Sequence, residues 1–388
     1  MQFEDRTGRP FKVNWLNAIF LSGTPILAVA GVIWHGLTFG IGWVEVLIFF
    51  TWYLACGLSI TVGYHRLFSH RSHEARWPLR LAYAVFGAGA FQNSILEWCS
   101  DHRRHHRHTD DDHDPYSASR GFWWSHMFWI FIDESEEGEA DYSNVKDLQQ
   151  DWVVRWQHRH IYKIGFLSSM LLPGLVGFAL AGVGGAIGGF VWGGLMRTVF
   201  LHHGTFLINS AAHFWGKQPY SDENSSKDSF WLAFFTFGEG YHNFHHSFQA
   251  DYRNGHRWWQ WDPSKWFIRA GSLVRLNRNL KRAPRWSIET LRMDREYEVE
   301  AGLLSDRTED QGLLLSFRER AQGCREALKQ AMRELDSQRA GMKRASKEYR
   351  AAFAARVALA KAAIAGVRAE FRLLMADMDN LRRSAAAV

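Results

Sequence analysis

Cysteine and proline are both scarce in this sequence. The three cysteines, Cys56, Cys99 and Cys324, are far apart and form no CxxC pair. Their spacing excludes a disulfide framework and a thiolate metal site, and it suits a reducing cytoplasmic compartment. Only eight prolines occur in 388 residues, and none follows Pro284. The C-terminal part is therefore expected to be helical.

A block of charge of one sign is also missing. The net charge is +6, and basic residues alternate with acidic ones. This pattern lacks the basic stripe of a nucleic-acid-binding protein, so no nucleic-acid partner is expected. The modest positive charge favours attraction to anionic membrane lipid instead.

Long apolar runs, in contrast, are abundant. A helix needs about 20 mostly apolar residues to cross a bilayer, and four stretches qualify: residues 15–37, 41–62, 165–183 and 186–208. They predict an all-α integral membrane protein with two helical hairpins. Their lengths disfavour the alternative of buried helices in a soluble core. A shorter stretch, residues 79–96, contains Arg80 and predicts a re-entrant or interfacial helix.

Four crossings would place the N-terminus, residues 65–160 and everything after residue 213 on one side of the membrane. Arginines flank the spans on this side, for example Arg66, Arg71 and Arg103. The excess of positive charge assigns this side to the cytoplasm.

A second region, residues 298–388, is expected to follow a membrane region of residues 1–297. Apolar residues recur in it at steps of three, four or seven: Leu328, Met332, Leu335, Met342, Tyr349, Phe353, and then Val367, Phe371, Leu374, Met378 and Leu381. This period predicts a helical, coiled-coil-like tail, with self-association as its role. The alternative is an amphipathic helix on the membrane surface.

Nineteen histidines are present, and their clustering is informative. Three boxes stand out: His65-Arg-Leu-Phe-Ser-His70, His102-Arg-Arg-His105-His106 and His242-Asn-Phe-His245-His246. On a helix, positions i, i+3 and i+4 share a face, so each HxxHH box presents three imidazoles to one point. The five-residue step of the first box is out of phase on a regular helix. We therefore expect His65 at the end of the second span and His70 just beyond it.

Asn209 and His213 add an i, i+4 pair at the end of the fourth span. Nine histidine ligands would exceed the needs of one metal ion and suit two. Imidazole binds Fe, Cu, Zn and Ni, so ligand type alone does not identify the metal. The ten other histidines are expected to be structural or to support the ligands, with His203 the strongest exception.

The boxes and the segments around them resemble the membrane fatty acid desaturases, in the form of the bacterial delta-9 acyl-CoA (stearoyl-CoA) desaturases. The resemblance covers about residues 10 to 280, and the tail has no counterpart in it. The matching segments are Gly63–His70, Gln92-Asn93, Glu97-Trp98, Asp101–Arg103, Asp114-Pro115, Arg120–Phe122, Asn209–His213 and Gly238–His246.

This resemblance implies two iron ions held by nine histidines, with Asn209 meeting one iron through water. The implied ligands are His65, His70, His102, His105, His106, His213, His242, His245 and His246. It also implies a four-span stem in a bacterial inner membrane and a cytoplasmic helical cap that holds the di-iron site. A bent apolar tunnel would take the acyl chain, with Trp98, Trp123, Trp124 and Trp192 as candidate walls. Candidate substrate contacts are Asn93, Trp98, Asp101 and Arg103.

The implied reaction inserts a cis double bond, expected at delta-9, into a long-chain acyl thioester with O2 and two electrons. The electrons would come from a separate ferredoxin-like, rubredoxin-like or haem donor. The acyl carrier stays open between CoA, acyl carrier protein and phospholipid. Animal acyl-CoA desaturases have basic residues where this chain has the acidic run of residues 133–139, which would repel a nucleotide phosphate.

Two alternatives remain. The first is a hydroxylase with the same di-iron site, acting on an alkyl chain or another lipid. The second is a metal transporter, which is disfavoured because the boxes lie at the ends of the spans and not near mid-membrane.

Overall fold

The computed structural model describes residues 12–133, 141–308 and 310–385. Residues 134–139 of the predicted acidic run lie outside these ranges, as does the side chain of Asp133. Most of the described chain is helical, which confirms the predicted class. The α-helices are α1 (Trp15–Phe39), α2 (Trp43–Leu58), α3 (Trp77–Ala88), α4 (Ile95–His108), α5 (Phe122–His126), α6 (Lys146–Gln149), α7 (Trp152–Phe166), α8 (Leu172–Gly188), α9 (Arg197–Asn209), α10 (Ala211–Phe214), α11 (Phe230–Phe235), α12 (His242–Ser247), α13 (Pro263–Leu273), α14 (Arg285–Ser305), α15 (Gln311–Arg344) and α16 (Arg350–Ala385).

Wider and tighter helical turns connect several of these helices. The wider, π-helical segments are Ser59–Ser69, Leu167–Leu171 and Gly189–Met196, and the 3₁₀ turns are Ala118–Arg120, Phe128–Phe131 and Ser143–Val145. Short strands also form: β1 (Lys12–Val13), β2 (Glu74–Ala75), β3 (Ile132–Asp133) and β4 (Asn277–Arg278). β1 pairs antiparallel with β3, and β2 pairs antiparallel with β4.

The chain forms two compact units. The membrane unit consists of Met1–Gln218 and Glu223–Arg282, so far as these are described, and the tail unit of Pro219–Asp222 and Ala283–Val388. The sequence-based division after residue 297 falls inside α14, whereas the tail unit includes all of this helix. The reason is packing: Met293 and Leu304 of α14 belong to the apolar core that α15 and α16 complete.

Helices long and apolar enough to cross a membrane occur at Trp15–Phe39, Trp43–Ser69 and Trp152–Phe214. The length and apolar composition of these helices indicate an integral membrane protein. The first two correspond to the first two predicted spans. The third contains both remaining predicted spans in one helical stretch.

A sharp break divides this third stretch at Ala181 and Gly182. Gly182 has φ 66° and ψ −148°, a conformation that favours glycine. On either side of the break, a Cβ atom at Gly177 would overlap the carbonyl oxygen of Gly185, and one at Gly189 would overlap that of Pro173. Gly177 thus faces Gly185, and the earlier Pro173 faces the later Gly189. The two halves therefore pack antiparallel, with their backbones in close contact.

The predicted interfacial helix over residues 79–96 is divided in the structure. α3 ends at Ala88 and α4 begins at Ile95. Between them, Phe91 and Asn93 have positive φ values of 53° and 64°, which an α-helix does not permit. The turn lets α4 start in a new direction and present its histidines to the membrane unit's core.

The tail unit packs around the predicted apolar stripe. Leu328 and Met332 of α15 and Leu374 and Met378 of α16 are fully or almost fully buried. α15 and α16 run antiparallel, because Arg320 pairs with Asp377 at 3.3 Å while Gly341 lies against Phe353. Much of the stripe is thus covered within the unit. Tyr349 and Leu381 of the predicted stripe are exposed, and self-association through the tail stays a prediction.

We predict that Gly189→Ala lowers the melting temperature of the detergent-solubilised chain, because the new methyl group would force the two halves of the hairpin apart. Overpacking of this kind costs about 1–3 kcal/mol. Gly23→Ala in α1 is the matched control, since nothing lies within 4 Å of its added Cβ. Equal melting temperatures for the two variants would contradict the close packing.

Candidate metal centre

The first histidine box lies on the π-helical segment Ser59–Ser69. A π-helix closes hydrogen bonds from residue i to i+5, and the His70 amide donates to the His65 carbonyl at 3.1 Å. The five-residue step therefore brings both side chains to one face, with ring centroids 4.8 Å apart. His70 lies just beyond the helix end, as expected, and the wider helical turn explains the unusual spacing.

The second and third boxes lie on α4 and α12. Ser94 and Glu97 form a capping box that starts α4: the Ser94 side chain accepts from the Glu97 amide, and Glu97 Oε2 accepts from the Ser94 amide at 2.9 Å. The cap fixes the start of the helix that carries the three histidines of the second box. His213 comes from the short helix α10, which follows a break after Asn209.

All nine predicted histidines converge on two groups of nitrogen atoms. Within each group the potential ligand atoms lie within 4.8 Å of one another. The first histidine group is His65, His70, His102, His106 and His245, and the second histidine group is His105, His213, His242 and His246. The groups adjoin each other, since the rings of His106 and His246 stack with centroids 4.3 Å apart.

The spacing of the nitrogens fits a metal ion. Facing Nε2 atoms are separated by 2.8 Å between His70 and His102 and by 3.1 Å between His242 and His246. Two nitrogens at right angles around an ion about 2.1 Å away would lie about 3 Å apart. His245 Nε2 faces two other Nε2 atoms, of His65 at 2.9 Å and His106 at 3.0 Å. One imidazole proton cannot satisfy both contacts, whereas a shared cation would.

Several ligand candidates are oriented by a partner at their other nitrogen. The Nδ1 atom of His65 lies 2.9 Å from the Glu239 carboxylate, and the Nδ1 atom of His105 lies 2.9 Å from the Asp114 carboxylate. Such carboxylate–histidine contacts fix the ring orientation and aim Nε2 inward. Tyr116 plays the same part for His102, with its hydroxyl 3.1 Å from Nδ1.

His213 gives the clearest indication that a ligand belongs here. Its Nδ1 lies 2.8 Å from the Ser225 hydroxyl, which itself donates to Asp110 at 2.8 Å. Its Nε2 is buried and has no hydrogen-bond partner among the described residues. An unpaired buried nitrogen is costly unless it binds something, so the donor set fits a metal ion.

Electrostatics keep several of these imidazoles in the form that binds metal. Burial, followed by the charges of neighbouring histidines, lowers the pKa of His102 and of His106 well below the usual range. A neutral imidazole offers its lone pair to a cation. Burial raises the pKa of Glu239, but its interactions with Arg66 and His65 outweigh it and leave that pKa below its ordinary value. Glu239 therefore stays anionic beside the first group.

A cavity of about 670 Å³ opens beside the first histidine group. Among the predicted substrate contacts, Asn93, Trp98 and Asp101 line it, and Asn209 and His102 do as well. Trp98 stacks on His102 with ring centroids 4.8 Å apart, so the cavity reaches the histidines.

The other predicted contact, Arg103, does not line this cavity. Its guanidinium donates to the carbonyl groups of Phe68, Ser69 and Asn144 and to the Asp147 carboxylate. It joins α4 to the end of the first box and to the 3₁₀ turn before α6, a structural role that its sequence position did not reveal.

The four predicted tunnel tryptophans also separate. Only Trp98 lines the cavity, whereas Trp123, Trp124 and Trp192 are not among its lining residues, and Trp123 is 61% exposed. Trp129, which the sequence analysis missed, does line it. His203 contacts His126, with Nδ1 3.2 Å from His126 Nε2, and belongs to neither histidine group.

The model of the family described as "Fatty acid desaturase" matches residues 41–272. The chain belongs to this family. Acyl-CoA desaturase 1 of Saccharomyces cerevisiae is 40% identical over 290 residues, which are 73% of this chain and 55% of the yeast protein. The sn-1 stearoyl-lipid 9-desaturase of Anabaena variabilis is 32% identical over 272 residues, 70% of this chain and 95% of that protein.

Human stearoyl-CoA desaturase 5 is 39% identical over 242 residues, 61% of this chain and 72% of its own length. The chain spans about half the length of the Saccharomyces cerevisiae protein. It also spans about half the length of the probable acyl-CoA desaturase of Schizosaccharomyces pombe. The names of these relatives specify acyl-CoA, stearoyl-CoA or stearoyl-lipid.

The residues that orient the histidines in this desaturase family member were not predicted as site residues. Glu239 and Asp114 lie within the segments that carry the family resemblance. Their place in those segments was the one feature of the sequence that could have indicated their role. Ser225 gave none, because it lies far from every box in the sequence. Only the folded chain brings its hydroxyl to His213.

We predict that Asp114→Asn lowers the metal content of the purified full chain. An amide can contact His105 but lacks the negative charge that makes the imidazole a stronger ligand, and loss of such a contact typically costs 10–100-fold in metal affinity. Metal per chain would be measured by plasma mass spectrometry after dialysis against a weak chelator.

The matched control is Asp141→Asn, another loop carboxylate of the membrane unit. Asp141 accepts from the Ser143 hydroxyl at 2.9 Å and belongs to none of the groups of described residues that could hold a metal ion. Full metal content in both variants would contradict the role assigned to Asp114.

Proposed function

We propose that this chain is a membrane fatty acyl desaturase that inserts a cis double bond, at delta-9, into a long-chain acyl group. The observation that carries the proposal is the convergence of nine buried or nearly buried histidines on two adjoining groups beside a cavity of about 670 Å³. Family membership and the names of the relatives support the same reaction.

The proposed ligands of two iron ions are the five residues of the first histidine group and the four of the second, with Asn209 meeting one ion through water. Bound iron would supply the one-electron and O2 chemistry that amino-acid side chains lack. Two ions suit the two groups, because nine nitrogens exceed what one ion can coordinate. Asn209 lines the same cavity as His102, a position compatible with its proposed role.

The protein's own residues hold and orient this centre. Glu239, Asp114, Tyr116 and Ser225 fix the rings of four ligands, as described above. Arg66 balances the buried charge of Glu239, to which Nη2 donates at 2.8 Å, and it also pairs with Asp262 at 3.0 Å. These contacts keep the ligands in place without reorganisation.

The cavity is the proposed acyl site. Apolar side chains such as Phe20, Leu21 and Trp129 line it together with the polar Asn93 and Asp101. Its volume is in the range of sites that enclose a small ligand. The carbons to be desaturated carry no functional group, so the position of the double bond must follow from the distance between the head-group anchor and the metal centre.

Four membrane crossings are proposed, because the break at Ala181 and Gly182 divides the third apolar stretch into two antiparallel halves. The histidine groups would then face the cytoplasm, where a separate ferredoxin-like, rubredoxin-like or haem protein delivers the electrons. The carrier remains one of CoA, acyl carrier protein or phospholipid, since relatives are named for both acyl-CoA and acyl-lipid.

The test is the fatty-acid profile of a host that makes no unsaturated acids, measured by gas chromatography with mass spectrometry. The intact chain should produce new cis-monounsaturated acids, and His246→Ala should produce none, because it removes a ligand of the second group. His113→Ala is the matched control: its side chain is 76% exposed, lies outside both groups and should leave the profile unchanged.

The double-bond position in the products tests the delta-9 assignment. Hydroxylated acids in place of alkenes would contradict the proposal and support the hydroxylase alternative. Unchanged products from His246→Ala would contradict the ligand assignment while leaving the reaction intact.

A further inference from the structure

An arginine-rich pocket lies within the membrane unit, formed by residues that the proposed reaction does not use. It has a volume of about 520 Å³, and its lining includes Arg76, Arg269, Arg275, Arg278 and Asn277. We call it the arginine pocket. Its walls come from the start of α3, the end of α13 and β4, which the β2–β4 pairing and the hydrogen bond from the Arg76 amide to the Leu276 carbonyl (2.9 Å) hold together.

Positive charge in this pocket is only partly balanced by the protein. Glu74 pairs with Arg278, and both its oxygens are occupied: Oε2 accepts from Arg278 at 2.8 Å and Oε1 from Asn279 at 2.7 Å. In the described parts of the chain, Arg76, Arg269 and Arg275 form no ion pair. Three guanidinium groups that line one pocket repel each other, and a bound anion would relieve that repulsion.

Asn277 helps to hold the pocket together. It is only 2% exposed, and its Nδ2 donates to the Ile268 carbonyl at 3.1 Å. This hydrogen bond ties β4 to α13, the helix that carries Arg269.

Apolar side chains beside the pocket indicate where the ligand comes from. Leu273 and Val274, next to Arg275 in the chain, are 71% and 67% exposed, and Trp77, next to Arg76, is 59% exposed. Exposed apolar and aromatic residues next to arginines are typical of a surface at the membrane–water boundary, where phosphate headgroups lie.

We propose that the arginine pocket binds the phosphate of an anionic phospholipid. Phosphatidylglycerol has a net negative charge, whereas phosphatidylcholine has none. Arginine matches phosphate because its planar fork donates two parallel hydrogen bonds. The site would anchor the cytoplasmic side of the membrane unit to anionic lipid, and it is independent of the proposed reaction.

The test is native mass spectrometry of the full chain in detergent, titrated with phosphatidylglycerol or phosphatidylcholine. Phosphatidylglycerol should bind more tightly. Arg76→Gln with Arg275→Gln should weaken it about fivefold per arginine, roughly 25-fold for the pair, if the two contributions add. Arg76→Lys with Arg275→Lys should retain most of the affinity, because the charge is kept.

The matched control is Lys343→Gln with Arg344→Gln, which removes two exposed positive charges from the tail unit and should not change lipid binding. Raising the salt concentration should weaken phosphatidylglycerol binding to the unmodified chain, a readout that needs no variant. Equal binding of both lipids, or equal affinity of the unmodified chain and the glutamine pair, would overturn the proposal.

Two further outcomes would assign the pocket to another ligand. Displacement of the lipid by inorganic phosphate at equal concentration would show a site for free phosphate. Unchanged lipid affinity in the glutamine pair, together with a raised KM for the electron donor in phosphatidylcholine membranes, would show a docking site for an acidic protein. Either outcome would overturn the lipid assignment.

Discussion

The membrane unit depends on placing nine imidazoles, most of them deeply buried, within a few ångströms of one another. Such a cluster is unfavourable by itself, because facing nitrogen lone pairs repel and burial removes the water that would satisfy them. The structure limits this cost in two ways. Burial keeps rings such as His102 and His106 neutral, and anionic or hydroxyl partners bind the outer nitrogens of some rings, such as His105 and His213. A cation between the inner nitrogens would complete the arrangement, and this is the basis of the proposed iron centre.

The same constraint explains features elsewhere in the membrane unit. The π-helical turn exists where His65 and His70 must share a face, and the capping box at Ser94 fixes where α4 starts. The buried Arg66 is stable because Glu239 and Asp262 both pair with it. Replacing Arg66 would leave two buried carboxylates without the cation that balances them, and breaking a buried ion pair in this way is strongly destabilising.

Much of this could be predicted from the sequence, because local spacing determines which side chains share a helix face. The HxxHH boxes are of this kind, and all nine predicted histidines do converge. The apolar helices could also be predicted, because the thickness of the bilayer sets the length of the apolar runs that form them. The C-terminal helices could be predicted from the helical spacing of their apolar residues and from the absence of proline after Pro284.

The rest depends on contacts between residues distant in the sequence. Nothing near Ser225 indicates that it orients His213, and nothing near Arg103 indicates that its guanidinium is occupied by backbone carbonyls. The π-helical turn was missed because periodicity arguments assume 3.6 residues per turn. The sequence analysis divided the chain after residue 297, where the composition changes, whereas packing groups all of α14 with the tail unit.

The two histidine groups are proposed to hold two irons. Iron analysis combined with X-ray absorption at the iron edge, on the full chain purified with iron and reductant, tests this directly. We expect two irons per chain, with imidazole nitrogens dominating the coordination shell and no sulfur ligand. Fewer than two irons at saturation, sulfur in the shell, or two irons retained after His245→Ala and His242→Ala are combined, would contradict the proposal.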